Sequence, residues 1–239
     1  EGSTAFGALA EATDEAATAV GALSFANGEG ATALGAGATA INDGATAVGF
    51  LADASEEDAT AMGAGALATG TQSVAIGTNA EASEDDATAV GEGAWAIAEN
   101  ATAVGQASEA SGYNASAFGG SATADEDYAS AFGNDAWANG IGSVALGADA
   151  TALGDGSIAI GADYDGDGTG AEASNTDAIA IGGDAMASAE EAIGIGFLSE
   201  ASGEHALALG AEAQALHDNS IALGSGVVTT RADQIVLGA

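Results

Sequence analysis

The chain has no cysteine, no proline and, among 239 residues, a single base, Arg231. Without cysteine no disulfide staples the fold; a repeat protein needs none, so the compartment stays open. Thirty-six acids against that one base leave a formal net charge of -35. A basic footprint for phosphate is therefore missing, which excludes nucleic acid as a partner. Lysine is absent altogether, and an acid-rich surface of this kind suits a saline or cation-rich medium, where screening is strong. No run approaches the roughly 20 apolar residues of a helical membrane span, so no membrane contact is expected of this segment. Glu1 opens inside a repeat with no signal-peptide pattern, as in a mature ectodomain or a piece of a longer protein.

What is present is a strict metre. Such acidity alone would suggest disorder, yet 47% of the residues are hydrophobic and they recur regularly. The pentapeptide "ATAVG" returns as "STAFG", "ATALG", "SVAIG" and "SIALG". Its glycines fall every 14 residues from Gly7 to Gly161 and, after one gap of 21, from Gly182 to Gly238, making 17 units. The period is too short for a helical repeat, and the alternation within each unit indicates strands. The second half of each unit reads G-x-x-A-x-A and is followed by acidic, glycine and asparagine turn residues, as in "SEEDA" and "NGEGA". The expected fold is all-β, a parallel β-roll of 14-residue coils with two short strands in each coil.

Alternation divides each long strand into two faces. One carries the residue just before the glycine (Phe6, Val20, Leu34, Met62, Ile76) and the threonine or aliphatic residue two before that. Both positions are expected in the core. The other face carries only small uncharged residues until the last unit, among them Ala19, Ala33, Ala47, Ala75, Ala103 and Ala145. These alanines are expected to form the strip along which several rolls pack, since a thin roll has little core of its own.

The repeat "SVAIGTNAEA" at 73–82 and the closing stretch "NSIALGSGVVTTRADQIVLG" at 219–238 resemble the heads of trimeric autotransporter adhesins of the YadA-like type. The resemblance covers essentially the whole chain. It implies a left-handed β-roll in a side-by-side homotrimer, displayed extracellularly on a cell surface and anchored in the outer membrane through segments outside this sequence. It also implies head repeats over 1–217 and a last repeat with neck-like entry over 218–239. The 21-residue gap adds half a coil, which would exchange inner and outer strands if the roll absorbed it, so a seven-residue outward insertion is expected near 163–170. Similar repeats occur in phage tail fibres, so a virion fibre or a surface filament is the alternative carrier.

Three features are candidates for function. Leu67, Trp95, Trp137 and Met186 each stand between two alanines in the second half of a unit, and Phe25 between Ser24 and Ala26, so all five are expected to point outward. There they could anchor a surface ligand or receptor, or pack across neighbouring coils or onto an adjacent chain. Asp163, Asp165 and Asp167 with Gly168 match the first half of a calcium loop, though Ser174 stands where an EF-hand has its bidentate glutamate. Calcium is the one cofactor this allows, as a clip on a side loop. The stacked acidic turns read as a solvated edge. His205 and His217 lack a third ligand at useful spacing. No nucleophile and base pair or phosphate loop stands out, so a non-enzymatic adhesin head is expected. An ice-binding solenoid built on Thr4, Thr18, Thr32, Thr46 and Thr60 is set aside, because those threonines are expected to face the core.

Overall fold

Each period lays down two strands and two turns. In the computed structural model, which describes residues 2–238, the pentapeptide forms a three-residue strand such as Thr18–Val20. The second half forms a two-residue strand such as Phe25–Ala26. Between them the chain reverses at Gly21 to Ser24 and again at Gly28 to Ala31. In each turn the last N–H donates to the first carbonyl, at 3.4 and 3.1 Å. The third residue of each turn has positive φ, 60° at Leu23 and 71° at Gly30. That requirement recurs twice per coil and accounts for much of the glycine, asparagine and aspartate at these positions, Asp58, Asn79 and Asp86 among them.

The coils form two compact units, Glu1–Ala115 and Ser116–Ala239. In the first, the long strands from Thr4–Phe6 to Thr102–Val104 pair in parallel, each residue opposite the one 14 later, as Ala19 is opposite Ala33. Its short strands, from Glu11–Ala12 to Glu109–Ala110, form a second parallel ladder. The second unit repeats the arrangement from Ser116–Phe118 to Ile235–Leu237 and from Thr123–Ala124 to Gln214–Ala215. This is the parallel β-solenoid that the 14-residue metre implies.

The inside and outside of the long strands are reversed from expectation. Ala17, Ala19, Ala31, Ala33, Ala45 and Ala47 are fully buried, facing the buried alanines of the short strands such as Ala26 and Ala40. The bulky set faces out: Leu34 is 37% exposed, Met62 43% and Ile76 39%. Two strands joined by turns this tight leave room between them for little more than facing Cβ atoms, so only alanine and serine fit. Ala19, Ala33, Ala47, Ala75, Ala103 and Ala145 are therefore the core of the roll itself and are not available as an interface between rolls. Where serine replaces alanine inside, its hydroxyl bonds locally, as Ser73 Oγ does to the Gly70 carbonyl at 2.6 Å. The threonine ladder also lies outside: Thr4 is exposed, and Thr18, Thr32, Thr46 and Thr60 are half-buried. The ground for setting aside an ice-binding array was therefore wrong. The uneven neighbours Phe6, Val20, Leu34, Val48 and Met62 on the same face argue against a flat one.

The glycine that ends each pentapeptide is required twice over. Gly63 has φ of +144°, and a Cβ built on it would lie 2.2 Å from the carbonyl oxygen of Gly77 on the next coil. Any side chain there would push two coils apart, which is why the metre is marked by glycine.

The 21-residue gap leaves both ladders in step: Thr151 pairs with Glu172 and Ile158 with Ile179. The extra residues leave the roll after Asp163, whose N–H donates to the Ala148 carbonyl at 3.1 Å. They return at Gly170, which donates to the Asp149 carbonyl at 3.0 Å. Between these ties residues 164–169 are exposed.

Candidate functional site

The outward residues of the short strands form a column in each unit. In the first, Phe25 is half-buried between Glu11 and Thr39, and Leu67 and Trp95 stand to either side of Glu81. Leu67 and Trp95 are well exposed, as are Trp137 and Met186 in the second unit. The five predicted residues thus point outward, but they do not converge on one site. Trp137 has an intrachain partner that the sequence did not reveal: its indole Nε1 donates to Asp125 Oδ2 at 3.0 Å.

Met186 lies in different surroundings. On the short-strand column it is followed by Glu200, Gln214 and Val228. Beside that column runs a ridge of turn residues, Asp184, Leu198, Glu212 and Gly226, each the third residue of its turn and each with positive φ. Column and ridge enclose a groove of about 510 Å³. Its apolar lining is Met186 and Val228 from the column, 39% and 42% exposed, and Leu198 from the ridge, 44% exposed, while Glu200 and Gln214 lie between the first two and are joined by a hydrogen bond of 3.0 Å from Gln214 Nε2 to Glu200 Oε2.

The insertion lies beside one end of this strip. Its Tyr164 N–H donates to Asp184 Oδ1 at 3.1 Å, and the Tyr164 ring meets Phe197 edge-on, centroids 4.8 Å apart. The loop is thereby laid over the following coils. Its Asp165, Asp167 and Thr169 wall a second hollow of about 260 Å³ that shares Asp184, Met186 and Leu198 with the groove. Leu198 and Val228 escaped the sequence reading. The signal for Leu198 was a leucine at a turn position that aspartate or glutamate occupies in the coils to either side, at Asp184 and Glu212.

Electrostatically this side of the unit is uniformly negative. Asp135, Asp149 and Asp163 follow one another at equivalent positions on successive coils, and the Asp149 carboxyl is pushed up by desolvation and then by the charges of Asp135 and Asp163. Asp163 itself is held below the ordinary carboxylate range, chiefly by the backbone N–H of Gly168 and then that of Gly166, which donate at 2.9 and 2.6 Å. Asp163, Asp165 and Asp167 offer oxygens within 4.8 Å of one another, close enough to share one cation. They are the only such group of three or more metal-ligating side chains among the described residues. The fit to calcium is partial, because that ion takes six to eight oxygens and both oxygens of Asp163 already accept N–H groups. His205 Nε2 lies 3.7 Å from Glu191 and 3.9 Å from Glu204, both exposed.

The acidic turns also have a structural use. Asp43, Asp85, Asp155 and Asp218 accept the backbone N–H of Glu29, Thr71, Ile141 and Glu204, each 14 residues earlier, at 2.8 to 3.2 Å. Part of what reads as a solvated edge therefore ties successive coils together.

No helix among the described residues is long and apolar enough to cross a membrane. The family model described as the YadA head domain repeat matches residues 1–24, 26–52, 54–80, 82–108, 110–136, 138–163, 168–185, 173–199, 187–213 and 201–226. No curated protein matches the chain. Among solved structures it is similar to the collagen-binding domain of the Yersinia adhesin YadA, at 26% identity over 72% of this chain and 69% of that one, with a TM-score of 0.26.

Proposed function

Because this chain belongs to the YadA head-repeat family, we propose that it is the non-enzymatic head of an extracellular adhesin, held at a cell surface by segments outside this sequence and presenting its acidic outer faces to a ligand. The observation that carries the assembly is the outward column of Leu34, Val48, Met62, Ile76 and their equivalents. A continuous apolar strip on a soluble protein asks to be covered, and a second and third copy of the same strip cover it without a foreign partner. The homotrimer of this reading is thus closed by the large apolar residues of the long strands, with the alanines inside each roll.

Calcium at Asp163, Asp165 and Asp167 belongs to the same reading as a clip on the side loop, supported by their spacing and convergence. It would stiffen that loop and leave the coils as they are.

The test is attachment of the purified oligomer to surfaces coated with matrix proteins, collagen included, with glycans or with whole cells, read beside its mass in solution. Saturable attachment by a trimer supports the proposal. End-to-end polymers that attach to nothing would favour the alternative, a structural segment of a filament or tail fibre.

A further inference from the structure

The groove of the second unit differs from the rest of the outer surface in being built. Three large apolar side chains line it, an insertion that breaks an otherwise strict metre lies beside one end, and the insertion is pinned in place by Tyr164 on the groove residue Asp184 and on Phe197. Single exposed apolar residues need no explanation, but Met186, Leu198 and Val228 line one groove. The charged side chains around them, Asp184, Glu200 and Glu212, are all acidic.

We propose that this groove seats an extended segment of a foreign polypeptide in which lysine or arginine alternates with apolar residues. Charge complementarity decides the class. Phosphates and anionic lipid headgroups are repelled, and another copy of this chain offers the groove's carboxylates a single base, Arg231. A small cation would use the carboxylates and leave Met186, Leu198 and Val228 uncovered. The groove spans four coils, so three steps at roughly 4.8 Å make about 14 Å, the length of four or five extended residues. A lysine or arginine stem lies well against such apolar side chains while its head reaches a neighbouring carboxylate, and methionine adapts to what lies on it. This deepens the adhesin reading and rests on it for the presence of a macromolecular ligand.

The experiment measures binding of a fluorescent peptide of about eight residues alternating lysine and leucine, long enough at roughly 3.4 Å per residue to cross the groove. The intact chain is used at physiological ionic strength, beside a glutamate–leucine peptide and an oligolysine of equal charge. Saturable binding of one lysine–leucine peptide per chain is expected, weakened about tenfold or more by Met186→Ser with Leu198→Asn, which leave the net charge unchanged. A second variant lacking 163–169 should lose affinity as well, whereas Leu67→Ser in the other unit should not. Binding indifferent to the Met186 and Leu198 changes would overturn the groove, as would several oligolysines per chain bound as tightly as the alternating peptide. Attachment of the oligomer to coated surfaces is scored in parallel. Its failure with the peptide still bound defeats the adhesin reading alone, and its success with peptide binding indifferent to the variants defeats the groove alone.

Discussion

The backbone N–H of Thr71 donates to the Asp85 carboxylate across 2.9 Å, from one coil to the next, and the same tie recurs between Ile141 and Asp155. An exposed charge-assisted bond of this kind contributes about 0.5–1 kcal/mol. Asp85→Ala should lower the thermal midpoint measurably, and Asp85→Asn, which keeps an acceptor, should recover most of it. Equal melting of the three proteins would show that the turn carries nothing but charge.

The reversal of core and surface predicts opposite outcomes for adjacent residues. Ala103 is fully buried, and Ala103→Leu should destabilise the coil by about 3 kcal/mol or more through overpacking. Val104, next to it on the outer face, should tolerate alanine with little loss of monomer stability. Denaturant unfolding of both variants checks this. On the same face, Met62→Asp with Ile76→Asp should leave the circular dichroism of the β-fold intact while shifting the oligomer toward monomer in sedimentation.

Gly63 admits no side chain. Gly63→Ala places a methyl 2.2 Å from the Gly77 carbonyl oxygen at a φ of +144°, and a loss of about 2–4 kcal/mol is expected. Protease sensitivity near residues 63–77 would report the opening of the two coils.

Asp53 should give the chain a pH dependence. Its Oδ1 is buried without a partner and desolvation raises its pKa, so the folded state holds this proton to a higher pH than the unfolded state does. Stability therefore falls as pH rises from the ordinary aspartate value through the raised one, and the penalty is complete above it. Asp53→Asn should remove that slope and raise stability slightly at neutral pH, the gain being small because much of the side chain stays solvated. A slope unchanged in Asp53→Asn would place the effect elsewhere.

Asp163 has the opposite sign. Its pKa is lowered by the N–H groups of Gly168 and Gly166, so the loop's order is fully present above the ordinary carboxylate value and is lost as pH falls through the depressed one. Amide relaxation over 163–169 should show the loop loosening on acidification while the flanking strands stay ordered. Replacing Asp163, Asp165 and Asp167 with asparagine should leave the coils intact and abolish any calcium-induced shift of those amides. Collapse of the fold would make the loop structural.

By itself the sequence determined the architecture, because a backbone that reverses twice in 14 residues and stacks glycine against glycine admits almost nothing but a two-stranded coil. Gly63 and Gly77 mark that step, and the 21-residue gap marks the one departure from it. The outward direction of Phe25, Leu67, Trp95, Trp137 and Met186 was legible for the same reason, since each lies between two small residues, alanine or Ser24, that had to face in.

Which face of Thr18–Val20 turned inward was not legible. Alternation separates Ala19 from Val20 but carries no sign, and the habit of placing the larger apolar residue inside gives the wrong one here. The separation of the two strand layers decides it: between walls this close there is room for the methyl of Ala19 and none for Val20. Only the tertiary structure could also lay Tyr164 across Gly183 onto Phe197 and bring Leu198 and Val228, 30 residues apart, to the groove beside Met186. Those neighbours are set by how coils stack, and a turn residue read along the chain shows nothing of the turn above it.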